Sequence, residues 1–249
     1  MSPKKPEPLP KRSPKTSNTT LSAEATTFLG RDGLGAYITS PQSFPTSRVI
    51  YHNERFVVIN DLYPKSSVHL LLLPRDPAKM GLHPFEALED STFRADIQAE
   101  VKKLQILVER ELRRRFGKYS SQDKAREAAM NAEPLPAEKD LPEGRDWGKE
   151  VVSGVHAHPS MNHLHIHIIS KDRLHECMRH RKHYNSFATP FFVPVEDFPL
   201  SPDDKRRHPG GERYLKSDLV CWRCGKNFGN KFARLKEHLT EEFEVWKRE

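Results

Sequence analysis

The sequence predicts an α+β fold: an antiparallel sheet with flanking helices, followed by a small separate unit towards the C-terminus. Three observations carry this. Apolar runs of strand length, separated by turn residues, fill 49–74, and a helical repeat of apolar positions runs through 84–116. Beyond a charged Gly/Pro-rich stretch, DDKRRHPGG, about 40 residues remain, headed by a C-x-x-C pair; a unit that small needs a metal or disulfide staple.

Taken in order, 21–45 holds a short helical pattern (AEATTFLGRDGLGAYI) ending in Pro-containing coil. VIYHNERFVVIND, 49–61, reads as two strands about a turn at His52, Asn53 and Glu54. YPKSS is a loop, and VHLLLLP, 68–74, is a buried strand closed by Pro74, which has no N–H for a ladder. HPFEALED opens one long helix over 84–116 with carboxylates in its first turn, and AEVKKLQILVEREL continues it. The polar, Pro-containing stretch 118–148 reads as an irregular insertion or a frayed helix plus loop. EVVSGVHAHPS, 150–160, is a strand running into a loop; HLHIHIIS, 163–170, is the next strand; FATPFFVPVEDFPL is an irregular connection on the core. No internal repeat is visible.

Hydrophobic residues make up 36% and charged residues 30% of the 249, so a core is feasible under a highly polar surface. A net charge of +7 suits a polyanionic partner, nucleic acid before acidic membrane. No run of 18 apolar residues exists, so no transmembrane helix and no membrane partner are expected. The N-terminal stretch MSPKKPEPLPKRSPKTSNTT has no apolar segment to act as a secretory signal. Its composition predicts disorder, and its KK and KR pairs serve as a nuclear address or as a plain solvated tail. Of three cysteines, Cys221 and Cys224 form the C-x-x-C pair, which points to metal or redox chemistry in a reducing compartment; Cys177 is a passive thiol.

In HLHIHIIS, strand alternation places His163, His165 and His167 on one face and Leu164, Ile166 and Ile168 on the other. Aligned imidazoles suit a metal site or nucleophilic attack on phosphorus. The flanks favour phosphate. HAHPSMN supplies a Ser-bearing loop upstream, Lys171, Arg173, Arg179, Arg181 and Lys182 follow, and no carboxylate lies nearby upstream to complete a hard-metal site.

H-φ-H-φ-H-φ-φ, matched by His163, His165, His167, Ile168 and Ile169, resembles the signature of the histidine-triad (HIT) superfamily, and FVVINDLYPKSSVHLLLLP looks like its nucleotide-binding hairpin and strand. HAHPSMNHLHIHIIS followed by CMRHRKHYNSF, with the C-terminal C-x-x-C unit, resembles the aprataxin family of DNA 5′-adenylate hydrolases over roughly 28–75 and 150–245. The resemblance implies that His165 is the nucleophile, forming a covalent His165–AMP intermediate that water hydrolyses. His163 and His167 orient and polarise, His156 protonates the leaving phosphate, and Lys182 binds transition-state charge. Ser160 and Met161 touch the phosphates; Asn60, Asp61 and Leu62 surround the adenosine, Asp61 at the ribose. Lys65 and His69 fall at family positions with more structural roles. His158 is a departure, since the family often has an apolar residue there. His180 and His183 read as surface or DNA-facing residues.

At the C-terminal end, Cys221 and Cys224 precede His238 by a spacing near that of C-x2-C-x12-H zinc fingers, on a helix KFARLKEHLTEEFEVW. Position 242 is Glu, so the fourth ligand is water or Glu242, one turn from His238 on the same face. The resemblance to fungal aprataxins, with a Cys-Cys-His-Glu set, favours Glu242 over Glu241 and a structural zinc. Lys226, Lys231, Arg234 and Lys236 would contact DNA phosphates.

An enzyme acting on DNA ends must cap the terminal base pair. The resemblance assigns this to a wedge helix around RDGLGAYI, with Phe28, Leu34 or Tyr37 stacking and Arg31 on a phosphate. The expected organisation is a disordered basic tail (1–22), a HIT catalytic domain with its wedge helix (23–202), a linker (203–216) and a zinc finger (217–249). The expected function is a monomeric nuclear DNA-repair hydrolase that releases AMP from 5′-adenylated ends and meets other repair proteins. Adenylated RNA–DNA junctions and 3′-capped ends are further substrates to consider. A general nucleotide hydrolase acting on small adenylates is the rival within enzymes; a non-catalytic nucleic-acid-binding zinc protein is the rival outside them, and the intact triad argues against it.

Overall fold

The computed structural model describes residues 30–207 and 212–249. The basic tail and Phe28 lie outside the described residues. Six strands form one antiparallel sheet in the order β1-β2-β3-β5-β4-β6: β1 Val49–His52, β2 Phe56–Asn60, β3 His69–Pro74, β4 Val151–His156, β5 Ile166–Ser170 and β6 Phe192–Pro194. The helices are α1 Gly35–Thr39, α2 Pro84–Ala87, α3 Ser91–Phe116, α4 Ser121–Met130, α5 Arg181–Ala188, α6 Glu212–Leu215 and α7 Phe232–Trp246. Among the described residues no helix is long and apolar enough to cross a membrane.

Both faces of the sheet are covered, which is why β3 is apolar along most of its length instead of alternating. Leu70, Leu72, Ile166 and Ile168 meet Ile97, Val101, Leu104 and Val108 of α3 in the main core. Leu71 and Leu73, pointing the other way, pack with Leu34, Tyr37 and Ile38 around α1. His69, Ile169 and His167 share this second face, which α5 also covers through Phe187.

The helix expected over 84–116 is broken. Asp90 leaves helical geometry to accept from the N–H groups of Thr92 and Phe93, both at 3.0 Å, so α3 starts afresh there. The stretch 118–148 contains a regular helix, α4, capped by Ser120. It was illegible as core because its buried residue is an acid: Asp123 accepts from Arg145 N at 3.1 Å and Trp147 Nε1 at 2.8 Å, partners over twenty positions downstream. The connection after Thr189 supplies the edge strand β6, where Pro194 is tolerated.

HLHIHIIS is a strand only from Ile166. The pairing with β3 ends at Leu72↔Ile166 and that with β4 at Gly154↔His167. The preceding backbone has no ladder to join; Leu164 N donates to Met80 O at 2.8 Å. The three histidines therefore do not share one strand face.

The C-terminal unit is bolted to the sheet domain. The Arg145 guanidinium lies 4.1 Å from the Trp147 ring centre and 5.0 Å from that of Trp246 at the end of α7, a desolvated cation–π contact with two rings that meet edge-on, worth about 2 kcal/mol. Trp246 Nε1 donates to Glu150 at 2.7 Å. The described part of the expected linker is likewise docked: Tyr214 and Leu215 pack on the main core.

Candidate active site

A cavity of about 530 Å³ opens on the α1/α5 face of the sheet. Its floor is His69 and Leu71 of β3 with His167 of β5; α5 supplies His183, Ser186 and Phe187, the loop after β2 supplies Asp61, Leu62, Tyr63 and Lys65, and the segment before β5 supplies Ser160, Met161 and His165. A smaller cavity of about 190 Å³ adjoins it, sharing His156, Met161 and His165 and adding Arg31, His83 and His163. The two meet at His165, so a molecule reacting there has room on either side.

The protons on the ring nitrogens follow from the backbone. Lys65 N–H donates to His69 Nδ1 at 3.2 Å, so that nitrogen is an acceptor and the His69 proton sits on Nε2. His69 Nε2 lies 2.9 Å from His167 Nδ1, which accepts it and leaves the His167 proton on Nε2. That Nε2 is buried with no hydrogen-bond partner among the described residues, a donor held ready at the cavity wall. His165 Nδ1 lies 2.7 Å from the carbonyl of His163; an acceptor there fixes the proton on Nδ1 and leaves Nε2 with a free lone pair.

Burial keeps this set neutral. It lowers the pKa of His69 to about 4, with Asp61 pulling the other way. Burial also lowers His165, and lowers His156 and His167 well below the usual value, with neighbouring imidazoles adding to the effect. Among the described residues His156 Nε2 is likewise buried without a partner, and its ring lies 4.5 Å from that of His167. Neutral imidazoles are what nucleophilic attack needs.

Several sequence expectations move. Lys182 is exposed on α5 and does not line the cavity; His183, Ser186 and Phe187, at i, i+3 and i+4, do. Asn60 is turned away: its Nδ2 donates to Ser47 O at 3.0 Å and its carbonyl accepts from Arg48. Leu34 and Tyr37 are buried in the cavity wall, Tyr37 against Phe44, so neither is exposed to stack on a DNA end. His163 faces the smaller cavity with Arg31. His69, taken as structural, belongs to the hydrogen-bonded histidine pair, and Tyr63, at 64% exposure, stands at the cavity mouth.

The second cluster is in the C-terminal unit. One donor atom each from Cys221, Cys224, His238 and Glu242 lie within 4.8 Å of one another, with Cys224 Sγ 3.1 Å and Glu242 Oε1 3.2 Å from His238 Nε2. Two thiols, an imidazole and a carboxylate converging this way fit a tetrahedral zinc ion. Arg223 holds the other oxygen of Glu242, which aims Oε1 at the cluster. Lys231 and Arg234 line a shallow surface groove on this unit with Lys226.

Comparison with known proteins agrees with both clusters. The HIT domain family matches residues 44–174, and the C2HE / C2H2 / C2HC zinc-binding finger family matches 188–245. The chain is 34% identical to an aprataxin-like protein of Schizosaccharomyces pombe, over 87% of this chain and 82% of that one. It is 35% identical to an aprataxin-like protein of Saccharomyces cerevisiae, over 86% of this chain and 95% of that one. The crystal structure of the aprataxin ortholog Hnt3 in complex with DNA superposes with a TM-score of 0.69 at 33% identity, covering 87% of this chain and 96% of that one. With His165 and His167 lining a cavity of about 530 Å³, a cluster of four metal-competent donors and relatives of this similarity, the chain belongs to the aprataxin family of HIT-domain proteins.

Proposed function

We propose that this protein is a DNA-repair hydrolase that removes AMP from 5′-adenylated DNA ends. The observation that carries the reading is the His165 ring: the His163 carbonyl holds the proton on Nδ1 and leaves Nε2 as a neutral nucleophile where two cavities meet. Its relatives' names and the DNA in the Hnt3 complex support nucleic acid as the substrate.

The adenylate occupies the larger cavity, with Leu62 against the base, Asp61 at the ribose, and Ser160 and Met161 at the phosphates. Asp61 lines the cavity; its Oδ1 takes the Tyr63 N–H at 2.7 Å and its Oδ2 lies 3.5 Å from His69 Nδ1, and such a carboxylate suits ribose hydroxyls. His165 Nε2 attacks the α-phosphorus, forming a P–N bond as the bond to the DNA 5′-phosphate oxygen breaks. His167 Nε2–H donates to a phosphoryl oxygen, and Lys65, in the cavity wall where Lys182 is not, supplies the cation. Burial keeps His156 neutral; an anionic substrate beside it favours the imidazolium, which takes its proton from solvent and gives it to the leaving phosphate. Water then cleaves the P–N bond and AMP leaves. Arg31 and His163 in the smaller cavity suit the leaving DNA phosphate. Cys221, Cys224, His238 and Glu242 would hold a zinc ion as four protein ligands, and such an ion would support structure.

Incubation with 5′-adenylated nicked DNA is expected to release AMP, and His165→Ala to reduce the rate by more than about 10³-fold. Turnover of small adenylates with none from DNA would transfer the protein to the general nucleotide hydrolases.

A further inference from the structure

Arg173 is the single non-glycine residue, among those described, with a left-handed backbone, at φ 48°. That conformation crowds any residue with a Cβ and persists only where surrounding contacts over-determine it. Three such contacts exist, each leading to a different part of the protein. The Arg173 N–H donates to Ser66 Oγ at 3.1 Å; Ser66 is fully buried and follows Lys65, whose own N–H fixes the His69 tautomer. The guanidinium Nη2 donates to the carbonyl of Phe187 at 2.9 Å, one residue before the end of α5. The same guanidinium lies 5.9 Å from the ring centre of Trp222, which sits between Cys221 and Cys224.

Each of those contacts is itself tied to a functional cluster. The Phe187 ring meets His156, His167 and His69 edge-on at 4.8, 5.2 and 5.4 Å, so it sets the packing of three cavity imidazoles. Trp222 N donates to Tyr184 Oη at 2.9 Å, and that hydroxyl donates to Val220 O at 2.8 Å, so α5 grips the knuckle on both sides of Cys221. The turn that presents Arg173 is anchored next door: Asp172, buried, accepts from Ser67 N at 2.9 Å and from Leu174 N at 3.2 Å.

We infer that Arg173 is a positioning residue that couples the zinc knuckle to the catalytic cavity, holding Phe187 and the 65–67 loop in place against a knuckle whose shape the metal maintains. Arg173 touches neither substrate nor metal. Its role is to make α5, the nucleotide loop and the metal unit move as one body. The kinetic consequence rests on the function proposed above; the mechanical one does not.

Two variants separate the side chain from the backbone strain. Arg173→Gly keeps the left-handed backbone without its cost, and Arg173→Asn places there the side chain that best tolerates it. Both are read by hydrogen–deuterium exchange of the peptide spanning 181–188, by zinc content, and by kcat and KM for AMP release. In the parent protein, zinc chelation is expected to speed exchange of 181–188 by about tenfold. In both variants exchange should already be faster by about that factor with zinc still bound, and chelation should add little; kcat should fall about tenfold with KM changed less than about twofold. A variant that keeps parent-like protection of 181–188, or that still shows the full response to chelation, overturns the inference. A protein releasing no AMP from adenylated DNA but giving the exchange pattern would sink the proposed function and leave the coupling standing. If neither variant folds, Trp222→Leu in the otherwise intact chain replaces them, with the same exchange outcomes deciding.

Discussion

The protein carries two clusters of metal-competent side chains, and they differ in how their donor atoms are used. Asp61, His69 and His167 place donor atoms within 4.8 Å of one another, as do Cys221, Cys224, His238 and Glu242. In the first, the nitrogens are already engaged: His69 Nδ1 takes the Lys65 N–H, His69 Nε2 faces His167 Nδ1, and only His167 Nε2 remains. In the second, two sulfurs, Nε2 and Oε1 converge, and the spare carboxylate oxygen is held off by Arg223. A histidine cluster whose lone pairs accept N–H groups of the protein is a proton arrangement; one whose lone pairs point at a common centre is a metal site. Residue type does not distinguish them, and hydrogen bonding does.

The contrast is tested most severely by zinc. One zinc per chain is expected, falling below about 0.1 in Cys221→Ser, with Tm reduced by at least about 5 °C, measured by metal analysis and calorimetry. A second equivalent of zinc surviving in that variant and lost in His167→Ala would erase the distinction.

Acid is next. The folded protein holds His69 neutral down to about pH 4, whereas the unfolded chain titrates near 6.5. Between those values the unfolded state binds more protons, so this stability is fully present above pH 6.5 and lost as pH falls towards 4. The His69 share is on the order of 3 kcal/mol, and His156, His165 and His167 act in the same direction. Urea midpoints across pH 7.5 to 4.5 should fall accordingly; a flat profile would contradict neutral, buried imidazoles.

A smaller effect separates two lysines. Lys65→Ala should lower kcat for AMP release by about 10²-fold and Lys182→Ala by less than about twofold. The reverse order would restore Lys182 to the site. Smallest is the surface of the zinc unit: Lys231→Ala and Arg234→Ala should each reduce the log–log salt dependence of DNA binding by about one unit, leaving zinc content and kcat unchanged.

What the sequence disclosed was chemistry and period; what it withheld was long-range pairing. Val57 to Ile59 and Leu70 to Leu73 read as strands because apolar runs between turn residues are a local signal; Cys221, Cys224 and His238 were readable from spacing, and Glu242 only with the family resemblance beside it. The point where β5 begins depends on which neighbour β4 and β3 still offer, so the three histidines read as one strand when only His167 is paired. Lys182 and His183 are adjacent in a short helix, where one position is about 100° of rotation, and only docking of α5 on the cavity settles which turns inward. Tyr37 carried no mark telling a cavity wall from an exposed wedge.

The orienting partner of His165, the nucleophile we propose, is a main-chain carbonyl, that of His163. Every amino acid has one. Catalytic sites that rely on a carboxylate to hold an imidazole lose that partner to a single codon change; here no substitution at position 163 removes the acceptor, provided the local backbone path survives. The protonation state of His165 is thus insulated from mutational drift, and the imidazole of His163 is left free to be selected for whatever it does in the neighbouring cavity. The same insulation hides the partner from any reading of side chains alone.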